Sequence, residues 1–145
     1  MTFENSPYFK SYEHKKISLS FGDFYFLDHF LISELNEGIH LDWKKILEVI
    51  AEIKAHYGPN KKLAYISNRV NSYSIEPHLW INFNKEFGFI MASAIISYSE
   101  MNYINATLEK RFSTKSLKRC TSLEQAIEWV ENLREFNQNK TLHLL

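Results

Sequence analysis

Apolar and polar residues alternate at every second position in the first third of the chain. The stretch from Lys16 to Gly38, KISLSFGDFYFLDHFLISELNEG, keeps this alternation on both sides of Gly22-Asp23. A period of two puts successive side chains on opposite faces of a strand, and a Gly-Asp pair between two such runs is typical of a turn. The pattern therefore predicts a β-hairpin of two antiparallel strands before the first helix.

After residue 38 the apolar residues recur at helical spacing. Asp42 can cap the start of a first helix, and Gly58-Pro59 can end it. The sequence KKLAYIS then predicts a short strand. PHLWINFNKEF predicts a second helix, with Pro77 in its first turn, where a missing backbone N–H costs nothing.

The second half of the chain continues the alternation of strand and helix. Residues 90–98 are rich in isoleucine and small side chains, which is typical of a covered strand. An apolar stripe at helical spacing predicts a third helix over about 100–113, and it consists of Met101, Ile104, Leu108 and Phe112. TKSLKRC predicts a strand at an edge of the sheet, where its lysines discourage pairing with another chain. Ser122-Leu123-Glu124-Gln125 is a capping box, which predicts the start of a final helix.

These elements give the order ββαβαβαβα. Strands that alternate with helices need crossover connections, and these make neighbouring strands parallel. The sequence thus predicts an α/β fold with a mixed sheet, opened by an antiparallel hairpin, and helices packed on the sheet. One domain spans 1–145, and its ends, 1–14 and 138–145, are expected to be loose.

Charge and composition exclude several classes of function. Lysine plus arginine and aspartate plus glutamate number 17 each, so the chain as a whole has no field that attracts nucleic acid. The longest apolar run, residues 87–98, is much shorter than the roughly 20 residues that cross a bilayer, so no membrane span is expected. The first residues lack the pattern of a secretory leader, and the single cysteine cannot form an internal disulfide. We expect a cytoplasmic protein.

The sequence patterns of common enzyme and metal sites do not occur. The histidines show no H-x-H or H-E-x-x-H spacing, and neither G-x-S-x-G nor G-x-x-x-x-G-K is found. We therefore expect no metal, no cofactor and no enzymatic activity. A nucleophilic pair of Cys120 and His78 stays open, because such partners meet in space and not in sequence. Glu100 and Glu109 are interpreted as a solvated face of the third helix.

The order of elements and the second half of the chain together resemble a known group of domains. MASAIISYSEMNYINATLEKRF, followed by CTSLEQAIEWVENL, ends in a short strand and a capped helix. This looks like the ending of STAS-like domains, specifically the bacterial anti-sigma-factor antagonist-like (SpoIIAA-like) family. The resemblance implies a regulatory signalling domain without catalytic activity that binds another protein.

In signalling members of that family, the loop after the central strand carries a serine at the N-terminus of the next helix. Phosphorylation of this serine abolishes binding to a partner kinase. YISNRVNSYSIEP lies at the corresponding place in this chain. The possible phosphorylation sites are Ser72 and Ser74. In the predicted contact with a partner, Arg69 and Asn71 supply polar groups, and Tyr73 and Trp80 supply apolar anchors.

Other interpretations of the same region stay open. The polar side chains of the loop can simply bond to the backbone of a turn and a helix cap. The aromatic residues around the loop can instead line a pocket for a lipid or another apolar small molecule, which is the alternative function. A homodimer is also left open.

Overall fold

The computed structural model describes residues 1–136. Its helices and strands are α1 (Tyr8–Ser11), β1 (Lys15–Leu19), β2 (Gly22–Phe26), β3 (Phe30–Leu35), β4 (His40–Leu41), α2 (Trp43–Tyr57), β5 (Leu63–Asn68), β6 (Ser74–Ile75), α3 (Leu79–Glu86), β7 (Ile90–Ile96), α4 (Glu100–Phe112), β8 (Ser116–Cys120) and α5 (Leu123–Glu131). Six strands form one sheet in the order β1-β2-β3-β5-β7-β8, and the short strands β4 and β6 pair with each other.

The main sheet is mixed, as the sequence predicts. Strands β1, β2 and β3 are antiparallel neighbours, whereas β3, β5, β7 and β8 run parallel. Helices α2, α3 and α4 connect the parallel strands, as crossover connections require. The predicted α/β class is therefore confirmed, together with the position of β8 at an edge of the sheet.

The sheet opens with three antiparallel strands where the sequence predicts two. The predicted second strand is divided, because the chain turns at Asp28-His29 and returns as β3. The first turn lies at Ser20-Phe21, so Gly22 is inside β2. A Cβ atom on Gly22 would lie 2.8 Å from the Cα of Leu35, and glycine is therefore needed for the close approach of β2 and β3.

Helices cover both faces of the sheet. Helix α5 packs on one face together with the N-terminal segment, and α2, α3 and α4 pack on the other. The predicted start and end of α2 are confirmed: the Asp42 carboxylate accepts from the Lys45 N–H at 3.0 Å, and Gly58 has a φ of 88°. Within residues 1–136, no helix combines the length and the hydropathy that a membrane span requires.

The N-terminal segment belongs to the core, which corrects the expectation that residues 1–14 are loose. Phe3 is 0% exposed, and its N–H donates to the Glu34 carboxylate at 2.8 Å. The Asn68 amide donates to the same carboxylate at 2.8 Å and to the Met1 carbonyl at 3.0 Å. Burial raises the pKa of Glu34 above its ordinary value. The other predicted loose end, 138–145, lies outside the described residues.

Helix α4 turns a different face inward from the one that its sequence predicts. Met101, Ile104 and Leu108 are 67%, 56% and 47% exposed, although an apolar stripe normally marks the buried face. The buried residues of the helix are Ala106 and Glu109. The assignment of Glu109 to a solvated face is therefore wrong.

A candidate binding groove beside helix α4

The loop that follows β5 is held in place by the segment that follows β3. Strand β6, within this loop, pairs in parallel with β4. The Ser72 N–H donates to the Glu37 carboxylate at 2.8 Å, and the Ser72 carbonyl accepts from the Gly38 N–H at 2.7 Å. The side-chain amide of Asn71 donates to the Leu35 carbonyl at 3.0 Å. These bonds give the loop a fixed path over the end of the sheet.

A buried ion pair joins the beginning of this loop to α4. Both terminal nitrogens of Arg69 donate to the Glu109 carboxylate, and Nη2 lies 2.7 Å from Oε1. The indole N–H of Trp80 donates to the same Oε1 at 3.0 Å. The side chains of Arg69 and Glu109 are only 9% and 3% exposed. Because a buried charge needs a partner, this pair explains why α4 turns Glu109 inward.

Tyr73 packs against the same arginine. The central guanidinium carbon of Arg69 lies 5.1 Å from the centroid of the tyrosine ring. Ser67 Oγ lies 2.9 Å from the Tyr73 hydroxyl and accepts from Arg69 Nε at 3.1 Å. Burial by itself lowers the pKa of Arg69, but the contacts with Tyr73 and Glu109 outweigh it and raise that pKa above its ordinary value. The guanidinium is therefore charged over the whole physiological pH range.

The loop and α4 border a groove of about 290 Å³. Its lining is mostly amide and hydroxyl side chains, with a few apolar ones, and comprises Arg69, Asn71, Ser72, Tyr73, Ser74, Ile75, Pro77, Asn102, Asn105, Leu108 and Glu109. The two charged residues of this set pair with each other. The groove therefore offers neutral hydrogen-bonding groups above a neutralised ion pair.

Five of the six residues that the sequence predicts for the site line this groove, and Trp80 does not. Trp80 is buried beneath it, so the prediction that its ring provides apolar contact with a partner is wrong. Arg69 also has a different role from the predicted one, because its buried guanidinium donates to Glu109 and Ser67 within the protein. Trp80 and Arg69 therefore hold the loop and α4 in place. Asn71 and Tyr73 are half-buried, and Ser72 and Ser74 are exposed.

The sequence analysis missed the contribution of α4 to the groove. Asn102 and Asn105 are three residues apart and lie on one side of the helix, next to Leu108. Asparagines on a surface helix give no sequence signal of a binding site. The pairing of Glu109 with Arg69 orients this side of α4 toward the loop, and the sequence of the helix alone does not reveal that pairing.

No family model and no curated protein sequence matches the chain. Among solved structures, it is similar to the crystal structure of an uncharacterised protein of the DUF3478 family from Shewanella loihica PV-4, described as having a SpoIIAA-like fold. The TM-score is 0.52, and the match covers 81% of this chain and 92% of that chain at 11% sequence identity. The chain has a SpoIIAA-like fold. The fold that the STAS-like resemblance implies is thereby confirmed, and at this identity the similarity shows the fold alone.

The two candidate serines of this SpoIIAA-like fold do not lie at the N-terminus of a helix. Helix α3 begins at Leu79, whereas Ser74 belongs to β6 and Ser72 precedes it. The Ser74 hydroxyl lies 2.7 Å from Nδ1 of His40. The helix N-terminal position that the resemblance implies is therefore wrong for both serines, and their nearest polar neighbours come from the segment after β3.

The open possibility of a catalytic Cys120–His78 pair is not supported by the geometry. Cys120 is fully buried beneath α5, and burial raises the pKa of its thiol to about 11. His78 is exposed at the start of α3, which packs on the other face of the sheet. In the described part of the chain, no three or more His, Cys, Asp or Glu side chains are grouped so that they could hold a metal ion.

Proposed function

We propose that this chain is a non-catalytic protein-interaction domain of the cytoplasm, and that the groove beside α4 binds a segment of a protein partner. The lining of the groove is the observation that carries the proposal. Asn71, Asn102 and Asn105 supply amides that both donate and accept, and Ser72 and Ser74 supply hydroxyls. These groups match the N–H and C=O groups of a polypeptide. A regulatory, anti-sigma-antagonist-like role is consistent with the SpoIIAA-like fold.

The charges in the groove favour a neutral peptide segment over an anionic ligand. The Glu109 carboxylate already neutralises the charge of Arg69, so an anion would gain a net positive charge in the groove only by displacing that carboxylate. Removing one partner from a buried pair costs several kcal/mol, about 3–5 in measured cases. Uncharged amides and hydroxyls carry no such cost, because they exchange water for the main chain of the partner.

The groove is also prepared for binding before a partner arrives. The loop is tied to the segment after β3 by the bonds of Ser72 and Asn71, and to α4 by Arg69. A partner therefore does not need to order the loop, and less conformational entropy is lost on binding.

A variant that fills the groove tests this proposal. Asn105→Trp places an indole in the groove, and we expect the recovery of the protein partner to fall at least about tenfold, equivalent to about 1.4 kcal/mol. The measurement is affinity capture of the tagged chain from its own cells, with quantitative mass spectrometry of the captured proteins. Asn82→Trp is the matched control, because Asn82 is exposed on α3 and does not line the groove.

The control variant must retain the partner that Asn105→Trp loses. Equal recovery by the wild type and both variants would contradict binding in the groove. Equal loss by both variants would point to a general effect of the added tryptophan and would likewise remove the support for this site.

An apolar cavity favours the alternative function, the binding of a lipid or other apolar small molecule. The cavity lies between the sheet, α2 and α3, has a volume of about 60 Å³, and is lined by residues such as Leu31, Ile50, Phe83 and Ile90. Ligand sites usually measure roughly 300–1,000 Å³. A lipid would therefore require α2 and α3 to move apart, and for this reason we place protein binding first.

We place the regulatory part of the proposal at Ser74 rather than Ser72. The Ser74 hydroxyl lines the groove beside His40, whose ring N–H can donate to a phosphate. A phosphate on Ser72 would instead lie near the Glu37 carboxylate, which accepts from the Ser72 N–H and would repel it. A phosphate on Ser74 would occupy the groove and exclude the partner.

A further inference from the structure

Helix α4 presents a continuous apolar face to solvent. Met101, Ile104 and Leu108 are all about half exposed or more. Their spacing of three and four residues aligns them in one row along the helix, and we refer to them as the α4 stripe. Contiguous apolar patches are unfavourable in water and commonly mark an interface. The opposite side of the helix already packs on α3 and β8 through Ala106 and Glu109, so the α4 stripe faces outward, and Leu108 at its end also lines the groove.

Charged residues of opposite sign flank the α4 stripe at its two ends. Glu100 begins the helix and Arg111 lies in its last turn, and both are exposed. At about 100° per residue, the two side chains project on the same flank of the stripe. The helix therefore carries a negative charge at its first turn and a positive charge at its last turn, on one side of an apolar row.

We propose that the partner of the α4 stripe is a second copy of this chain, paired through an antiparallel contact of the two α4 helices. In an antiparallel pair the same flank of each helix meets its equivalent. A two-fold axis at the height of residue 106 sets Ile104 of one copy against Leu108 of the other. The same axis sets Glu100 against Arg111, and Met101 packs on the aliphatic part of that arginine.

The charges select this arrangement over a parallel one. In a parallel pair this flank would face the opposite flank of the other copy, so Glu100 and Arg111 would not meet each other and the attraction between them would be lost. The antiparallel contact makes two attractive pairs and is self-complementary, as a two-fold dimer requires. One helix face covers less than the roughly 1,200 Å² of a standard interface, so the dimer is weak and forms in the micromolar range or above.

Sedimentation equilibrium of the full chain, from about 10 μM to about 1 mM, tests the dimer. We expect a monomer–dimer equilibrium in the wild type. Ile104→Glu puts two carboxylates at the centre of the contact and is expected to weaken the dimer at least tenfold. Leu47→Glu is the matched control, because Leu47 is an exposed leucine on α2 with 46% exposure, and it is expected to leave the dimer unchanged.

Charge reversal tests the antiparallel geometry. Glu100→Arg and Arg111→Glu alone each set like charges against each other and are expected to weaken the dimer, whereas the double variant restores attraction and the wild-type dissociation constant. Thermal melting checks that each variant is folded. A monomer at every concentration, a dimer that survives Ile104→Glu, or single reversals without effect would each overturn the proposal. Leu108 belongs to both surfaces, so the dimer and a partner in the groove would compete for it, and capture with Asn105→Trp tests the groove separately.

Discussion

Replacing Glu109 with alanine is expected to lower the free energy of unfolding by about 3–5 kcal/mol. The substitution leaves the guanidinium of Arg69 buried without a carboxylate, and it removes the acceptor of the Trp80 indole N–H. A buried charge that loses its partner keeps its full desolvation cost, so the loss exceeds the net value of the pair. Urea-induced unfolding of the wild type and the variant measures the difference.

Two further variants isolate the unpaired charge as the cause. Glu48→Ala removes an exposed carboxylate from the middle of α2 and is expected to change the free energy of unfolding by less than about 0.5 kcal/mol. The double variant Arg69→Met with Glu109→Leu removes both charges and is expected to recover most of the loss. If Glu109→Ala were as stable as the wild type, the ion pair that shapes the groove would not exist.

Replacing Phe3 with alanine is expected to lower the free energy of unfolding by about 3–5 kcal/mol. Phe3 is fully buried among the residues beneath α5, so truncation opens a cavity in the core. The loss also weakens the docking of the whole N-terminal segment, whose next anchors are the hydrogen bonds to Glu34 and Asn68. Urea-induced unfolding again provides the measurement.

Phe3→Leu serves as the matched control because it keeps most of the buried volume, and we expect a loss of less than about 1.5 kcal/mol. A loose N-terminus, as the sequence alone predicts, would make both substitutions neutral. An unchanged midpoint for Phe3→Ala would therefore contradict the packing of this segment on the sheet.

Helices that begin or end at capping residues could be predicted from the sequence. Helix α2 follows its Asp42 cap and ends at Gly58, and α5 follows Ser122, whose hydroxyl accepts from the Gln125 N–H at 3.0 Å. Each of these signals acts within one turn of the element that it starts or stops, so it lies beside that element in the sequence. The parallel part of the sheet then follows from the rules for crossover connections.

The inward face of α4 could not be predicted, because the interaction that decides it is distant in sequence. Arg69 and Glu109 are 40 residues apart, and neither residue carries a local sign of the other. The apolar α4 stripe instead favours the opposite orientation. The burial of Arg69 and Trp80 could not be predicted for the same reason, since both donate to a carboxylate that α4 brings from far along the chain.

The docking of the N-terminal segment could not be predicted from the spacing of apolar residues. Residues 1–14 contain only the short helix α1, and a segment of this length gives too few turns for an apolar period to appear. Its docking depends on single anchors, above all Phe3 and the contact of its N–H with Glu34. The loop around Ser72 is predicted as a candidate site by its place in the STAS-like order of elements, but which residues face the groove follows from tertiary contacts.

We propose that this SpoIIAA-like domain acts by binding a polypeptide. Native mass spectrometry of the chain isolated from its own cells is the measurement to make first, since one spectrum reports bound protein, bound small molecule and covalent phosphate. We predict a complex with a polypeptide of different mass from this chain, and a phosphate mapped to Ser74 in any population that lacks that partner. A chain that instead retains an apolar passenger of lipid size and no different polypeptide would contradict peptide binding and would make the cavity beneath α2 and α3 the functional site.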